Sequence, residues 1–78
     1  MSFNYIIRRC KQYYKNNPCG GSLHIVLDDG NIERENIEFC LKYAKENNDL
    51  EGIKLANLLL SISYKLLEKI YKNYDLYC

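Results

Sequence analysis

Apolar residues recur every three or four positions along most of this chain, and that spacing fails in one place. Phe3, Ile6, Ile7, Cys10, Tyr13 and Tyr14 form one stripe, which predicts a first helix with Ser2 as its N-cap. This helix should stop near Asn16-Asn17, because the residue before Pro18 is pushed out of the α region. Ile37, Cys40, Leu41 and Ala44 make a second stripe, with Phe39 and Tyr43 widening it. Asn47-Asn48-Asp49 breaks that stripe, and Asp49 is suited to cap a third helix. The third helix carries Ile53, Ala56, Leu59 and Leu60, flanked by Leu55 and Leu58. It is apolar around much of its circumference and is expected to be central, although Gly52 weakens its first turn. Ser61-Ile62-Ser63 marks a kink or a new cap, after which Leu66, Leu67, Ile70, Tyr71 and Tyr74 predict a last helix.

The exception is Asn17 to Asn31. This stretch holds the only proline, the only histidine and three of the four glycines. Gly20-Gly21-Ser22 reads as a turn. Leu23 to Leu27 is short, apolar and bounded by turn residues on both sides, which predicts a strand. Leu23, Ile25 and Leu27 would face the core, with His24, Val26 and Asp28 on the other side. The expected fold is therefore mainly α with one short β-segment: a small α+β domain of three to four helices around a strand at residues 22–28. At 78 residues the chain, 1–78, has room for one domain with a modest core.

A hydrophobic share of 47% argues against disorder. The formal net charge of +1 demotes direct nucleic-acid binding, leaving room for a local patch only. Arg8, Arg9, Lys11 and Lys15 fall mostly off the first apolar stripe, and read either as a solvated face or as a small cationic patch for phosphate. The amino terminus lacks the charged start and apolar run of a signal peptide, and no apolar run approaches the ~20 residues that span a bilayer. A cytoplasmic protein without a membrane partner is expected.

The four cysteines are widely spaced, with no C-x-x-C pair, so neither a zinc knuckle nor a disulfide framework is expected. Cys10 and Cys40 read as small buried hydrophobes, Cys19 sits in the glycine turn, and Cys78 ends the chain. The Gly20-Gly21 pair lacks the further glycines and lysine of a phosphate loop. Asp28-Asp29-Gly30-Asn31 has turn composition and does not match an EF-hand loop. His24 and Asp28 lie about 13 Å apart along an extended strand, too far to act as an acid–base pair within one chain. No catalytic residue, metal site or cofactor is assigned. The polar groups without a core role are Gly20, Gly21, Ser22, His24, Asp28 and Asn31; with Arg8 and Arg9 as nearby cations, they form the expected ligand-binding set.

The run Pro18-Cys19-Gly20-Gly21-Ser22-Leu23-His24-Ile25-Val26-Leu27-Asp28-Asp29-Gly30-Asn31 resembles the signature of a group of small proteins from phage and prophage genomes. The resemblance continues through Ile37-Glu38-Phe39-Cys40 and Asp49 to Leu60, covering residues 17–63. It implies a phage-type origin and brings no activity with it. By analogy with small phage accessory proteins that lack enzyme motifs, it implies a host-cell, counter-defence role. The partner would be a host defence protein or a nucleotide-like immune signal. The alternatives are a phage assembly adaptor or a small hydrolase using His24 with Asp28 or Asp29. A lone strand also leaves an unpaired edge, so a homodimer through residues 22–28 is expected. With its two-fold axis through Val26, His24 of one chain would lie opposite Asp28 of the other.

Overall fold

In a computed structural model, residues 3–27, 33–63, 65, 66, 68 and 69 are described. Among these residues the chain is all-helical: α1 (Phe3–Asn16), a 3-10 turn (Pro18–Leu23), α2 (His24–Leu27), α3 (Arg34–Glu46) and α4 (Leu50–Leu60). α1 buries Ile6, Cys10 and Tyr13, α3 buries Ile37, Cys40 and Ala44, and α4 buries Leu55, Ala56 and Leu59. For α1 and α3 these are the faces that the apolar spacing defines; in α4 the face is turned towards Leu55, expected at its flank, and Ile53 and Leu60 are only half-buried. They meet in one core that also takes Leu23, Val26, Leu27 and Ile62. Each fully buried Leu or Ile contributes about 1.5–3 kcal/mol of transfer free energy.

The expected strand at 22–28 is not formed; residues 22–27 are helical and Asp28 lies outside the described residues. Pro18 opens the 3-10 turn, where its missing N–H is not needed. The N–H of His24 donates to the carbonyl of Gly21 and leads the turn into α2. Leu23, Val26 and Leu27 are buried, while His24 is exposed and Ile25 half-buried. That burial follows the i, i+3, i+4 spacing of a helix, not the alternation of a strand. The 3-10 turn packs against α1, α3 and α4, and α2 packs against α3. The α+β expectation is therefore corrected to an all-helical fold among the described residues. The strand-paired dimer loses its basis with it, since a helical segment satisfies its own backbone groups and offers no edge.

The helix junctions follow local chemistry. At the end of α3 the N–H of Asp49 donates to Ala44 O at 2.9 Å and that of Asn48 to Lys45 O at 3.2 Å. Asn48 sits between them at φ 55°, the left-handed conformation asparagine tolerates, so α3 closes with a paired C-terminal cap. Asp49 then caps α4 directly, its Oδ1 accepting from the N–H of Gly52 at 3.0 Å. At the other end of α4, Arg34 from the first turn of α3 donates to Leu60 O at 2.7 Å and Ile62 O at 3.3 Å, satisfying carbonyls the helix leaves open. The Ser63 hydroxyl accepts from the N–H of Leu66 at 3.2 Å, which fits the cap expected there. Most of the expected last helix (Leu67, Ile70, Tyr71 and Tyr74) lies outside the described residues.

Candidate functional site

Tyr13 reaches from α1 into the Gly21-Ser22 turn and holds it. Its hydroxyl donates to Asp49 Oδ2 at 2.5 Å and accepts from the N–H of Ser22 at 3.0 Å. Three distant segments are joined at one oxygen: α1, the 3-10 turn and the cap of α4. Gly21 has φ +51°, and a Cβ there would stand 2.8 Å from both the Tyr13 hydroxyl and Asn17 Cβ. Only glycine suits that position, on backbone and on space. Burial pushes the Tyr13 hydroxyl up to about 12, and its hydrogen bond to Asp49 acts in the same direction. Burial raises Asp49 too, but hydrogen bonds from Tyr13, Gly52 and Ser22 outweigh it and hold the carboxyl below its ordinary value.

Beside this turn lies an open groove of about 340 Å³, lined by Gly21, Ser22, His24, Ile25 and Tyr43. Tyr43 also borders a shallower depression of about 100 Å³, shared with Phe39, Lys42 and Glu46. Phe39 is 57% exposed and Tyr43 48%, so a ridge of two aromatic rings one helical turn apart runs alongside the groove.

Of the residues expected to bind a ligand, the structure brings Gly21, Ser22 and His24 together in this groove. Gly20 lies one residue earlier in the same 3-10 turn. Arg8 and Arg9 do not line it. Arg8 is exposed on α1. Arg9 donates to Tyr5 Oη at 2.9 Å, sits 5.8 Å from the centre of that ring, and approaches Glu51 Oε2 at 4.0 Å. Asp28 and Asn31 lie outside the described residues, as does Asp29. Among the described residues no three metal-ligating side chains cluster.

Phe39 and Tyr43 were expected to widen the buried stripe of α3, and they do not. On a helix of ~100° per residue Phe39 falls roughly 130° and Tyr43 roughly 90° from the centre of the buried Ile37, Cys40 and Ala44 face. That angle was legible in the sequence. The Tyr13–Asp49 pair was not, because tyrosine in an apolar stripe reads as packing and the contact spans 36 residues.

Cys10 and Cys40 are buried free thiols, as expected. Burial pushes Cys10 up to about 12 and raises Cys40 as well. No helix among the described residues is long and apolar enough to cross a membrane. No protein-family model matches the chain, and neither does any curated protein or solved structure.

Proposed function

We propose that this chain is a small non-catalytic binding protein that docks a protein partner through the groove at Gly21, Ser22, His24 and Ile25 and the adjoining Phe39–Tyr43 ridge. The observation that carries this reading is the exposure of two large aromatic rings beside a concave surface. Aromatic anchors next to a pocket are the groups that dominate protein–protein binding energy. A nucleotide-like ligand fits the same groove less well. Ser22 commits its N–H to Tyr13, and Arg9 is committed to Tyr5 and Glu51. Among the described residues the groove thus lacks the converging cations that a phosphate needs. The resemblance to phage proteins directs the search for the partner towards host defence proteins, which makes counter-defence the proposed role.

The test is site-specific photo-cross-linking in host cytosol. A photoreactive side chain at Tyr43 or Phe39 should trap one discrete partner, and the same group at Asn57, exposed on α4, should not. Trapping should be lost in Ile25→Asp, measured at a temperature where circular dichroism shows the variant folded, since Ile25 also packs in part against the core. Calorimetry with a nucleotide panel is the counter-experiment. Nucleotide binding lost in His24→Ala, with no protein trapped at position 39 or 43, would refute the protein-docking reading.

A further inference from the structure

The near-neutral balance of the chain conceals a separation of charge. α1 carries four cations and no carboxylate. Arg9 is drawn to Tyr5 and Glu51. The remaining three, Arg8, Lys11 and Lys15, are all exposed, and none is ion-paired or hydrogen-bonded among the described residues. Their spacing of three and four places them within about 60° of one another on the helix, directly opposite the buried Ile6, Cys10 and Tyr13. Asn4, Gln12 and Asn16 are the other exposed polar side chains of α1. The outer face of α1 therefore presents cations and amides, with the exposed ring of Tyr5 at its edge and no carboxylate. The carboxylates that balance the total include Glu33, Glu35 and Glu38, exposed at the start of α3.

We propose that the outer face of α1 is a second binding surface, which takes the phosphate backbone of a nucleic acid without reading its sequence. Arg8 to Lys15 spans seven residues, about 10 Å of helix at 1.5 Å per residue. Each of the three long cationic side chains can neutralise one phosphate, so the row engages up to three. An anionic membrane fits this face less well, because a surface helix must insert an apolar face and that of α1 is buried in the core. An acidic protein also fits less well. A protein interface needs an apolar centre, and here the one large ring, Tyr5, lies at the edge of the stripe, whereas nucleic-acid interfaces are polar and positively charged.

The experiment is fluorescence anisotropy of the full chain on a 20-base-pair duplex between 50 and 200 mM salt. Three phosphate contacts give a slope of log K against log salt of about −2.7, or roughly a 40-fold loss of affinity across that range. Lys11→Gln should make the slope shallower by about 0.9. The triple variant Arg8→Gln/Lys11→Gln/Lys15→Gln should abolish binding at 50 mM while its melting temperature stays unchanged, since none of the three is buried or paired. No binding of the parent chain at 50 mM would overturn the proposal. So would a slope that Lys11→Gln leaves unchanged. Binding to polyglutamate, or to vesicles of anionic lipid, as tight as to the duplex would also overturn it. Should the triple variant fail to fold, the Lys11→Gln slope alone decides.

Discussion

Replacing Tyr13 by Phe removes one oxygen and leaves the ring in the core. Two interactions are lost: the hydrogen bond to the Asp49 carboxylate and the acceptor for the N–H of Ser22. A hydrogen bond to a charged group contributes about 1.5–3 kcal/mol, and an orphaned donor costs about 1–3 kcal/mol when buried. Ser22 is only half-buried, so water can reach its N–H and the second cost falls at the low end. The expected destabilisation is about 2–3 kcal/mol, which lowers the melting temperature of a domain this small by roughly 10–20 °C. Urea denaturation followed by circular dichroism measures it. A double-mutant cycle with Asp49→Asn should return a coupling of about 1 kcal/mol or more. The pH dependence gives a second readout. Tyr13 holds its proton more tightly folded than unfolded, so its contribution is complete below pH ~10 and is lost as pH rises through about 12. Asp49 is depressed in the fold, so its contribution is present above its unfolded value near pH 4 and is lost as pH falls through the folded one. Tyr13→Phe should remove the part of the alkaline loss that Tyr13 causes. A destabilisation below about 0.5 kcal/mol, with the alkaline limb unchanged, would refute the role given to this hydroxyl.

Gly21→Ala should cost about 1–3 kcal/mol, from the positive φ together with the 2.8 Å approach to the Tyr13 hydroxyl; thermal denaturation will show it. Arg34→Met keeps the aliphatic stem but drops both bonds to the end of α4, and should cost about 1 kcal/mol, with faster amide exchange confined to the last turn of α4 and residues 61–63. Cys10 and Cys40 should resist alkylation at pH 8 in the folded chain and react fully in urea, as peptide mapping would reveal; rapid labelling of Cys10 in the native state would contradict its burial.

The faces of α1 and α3 were legible because each repeats its apolar spacing over two turns or more; that of α4 was legible only in part, because apolar residues surround most of that helix. The α3–α4 junction was legible too, since Asn48 and Asp49 carry their capping chemistry locally. Residues 23–27 were not. Leu23, Ile25 and Leu27 satisfy alternation, while Leu23, Val26 and Leu27 satisfy helical spacing, and five residues cannot separate the two. What decides is tertiary: the turn before them is pinned by Tyr13, and Leu23, Val26 and Leu27 are buried in the core shared by the longer helices. Within the candidate site, Gly21, Ser22 and His24 stood out as small or polar residues with no place in a stripe. Arg9 could not be excluded from it, because its partner Glu51 lies on another helix and no local pattern announces the pair.

Gly52 sets local propensity directly against tertiary geometry. It is the third residue of α4, where replacing glycine by alanine ordinarily stabilises a helix by up to about 1 kcal/mol. Here a Cβ would stand 2.5 Å from Asp49 Oδ2, 2.8 Å from Asp49 Cγ and 3.1 Å from the Tyr13 hydroxyl. A flexible carboxylate could swing away from such a contact at little cost. This one is held at both oxygens, by the N–H of Gly52 and by Tyr13, so moving it releases the α4 cap and the hydroxyl that holds Ser22. Gly52→Ala should therefore destabilise the protein, by about 1–3 kcal/mol, the range for a lost cap plus a broken charged hydrogen bond. The loss should shrink in a Tyr13→Phe background, where the carboxylate is already free on one side. Urea denaturation of the four chains in that cycle measures both effects. A more stable Gly52→Ala chain would mean that helix propensity outweighs the network, and that Asp49 does not need the space glycine leaves.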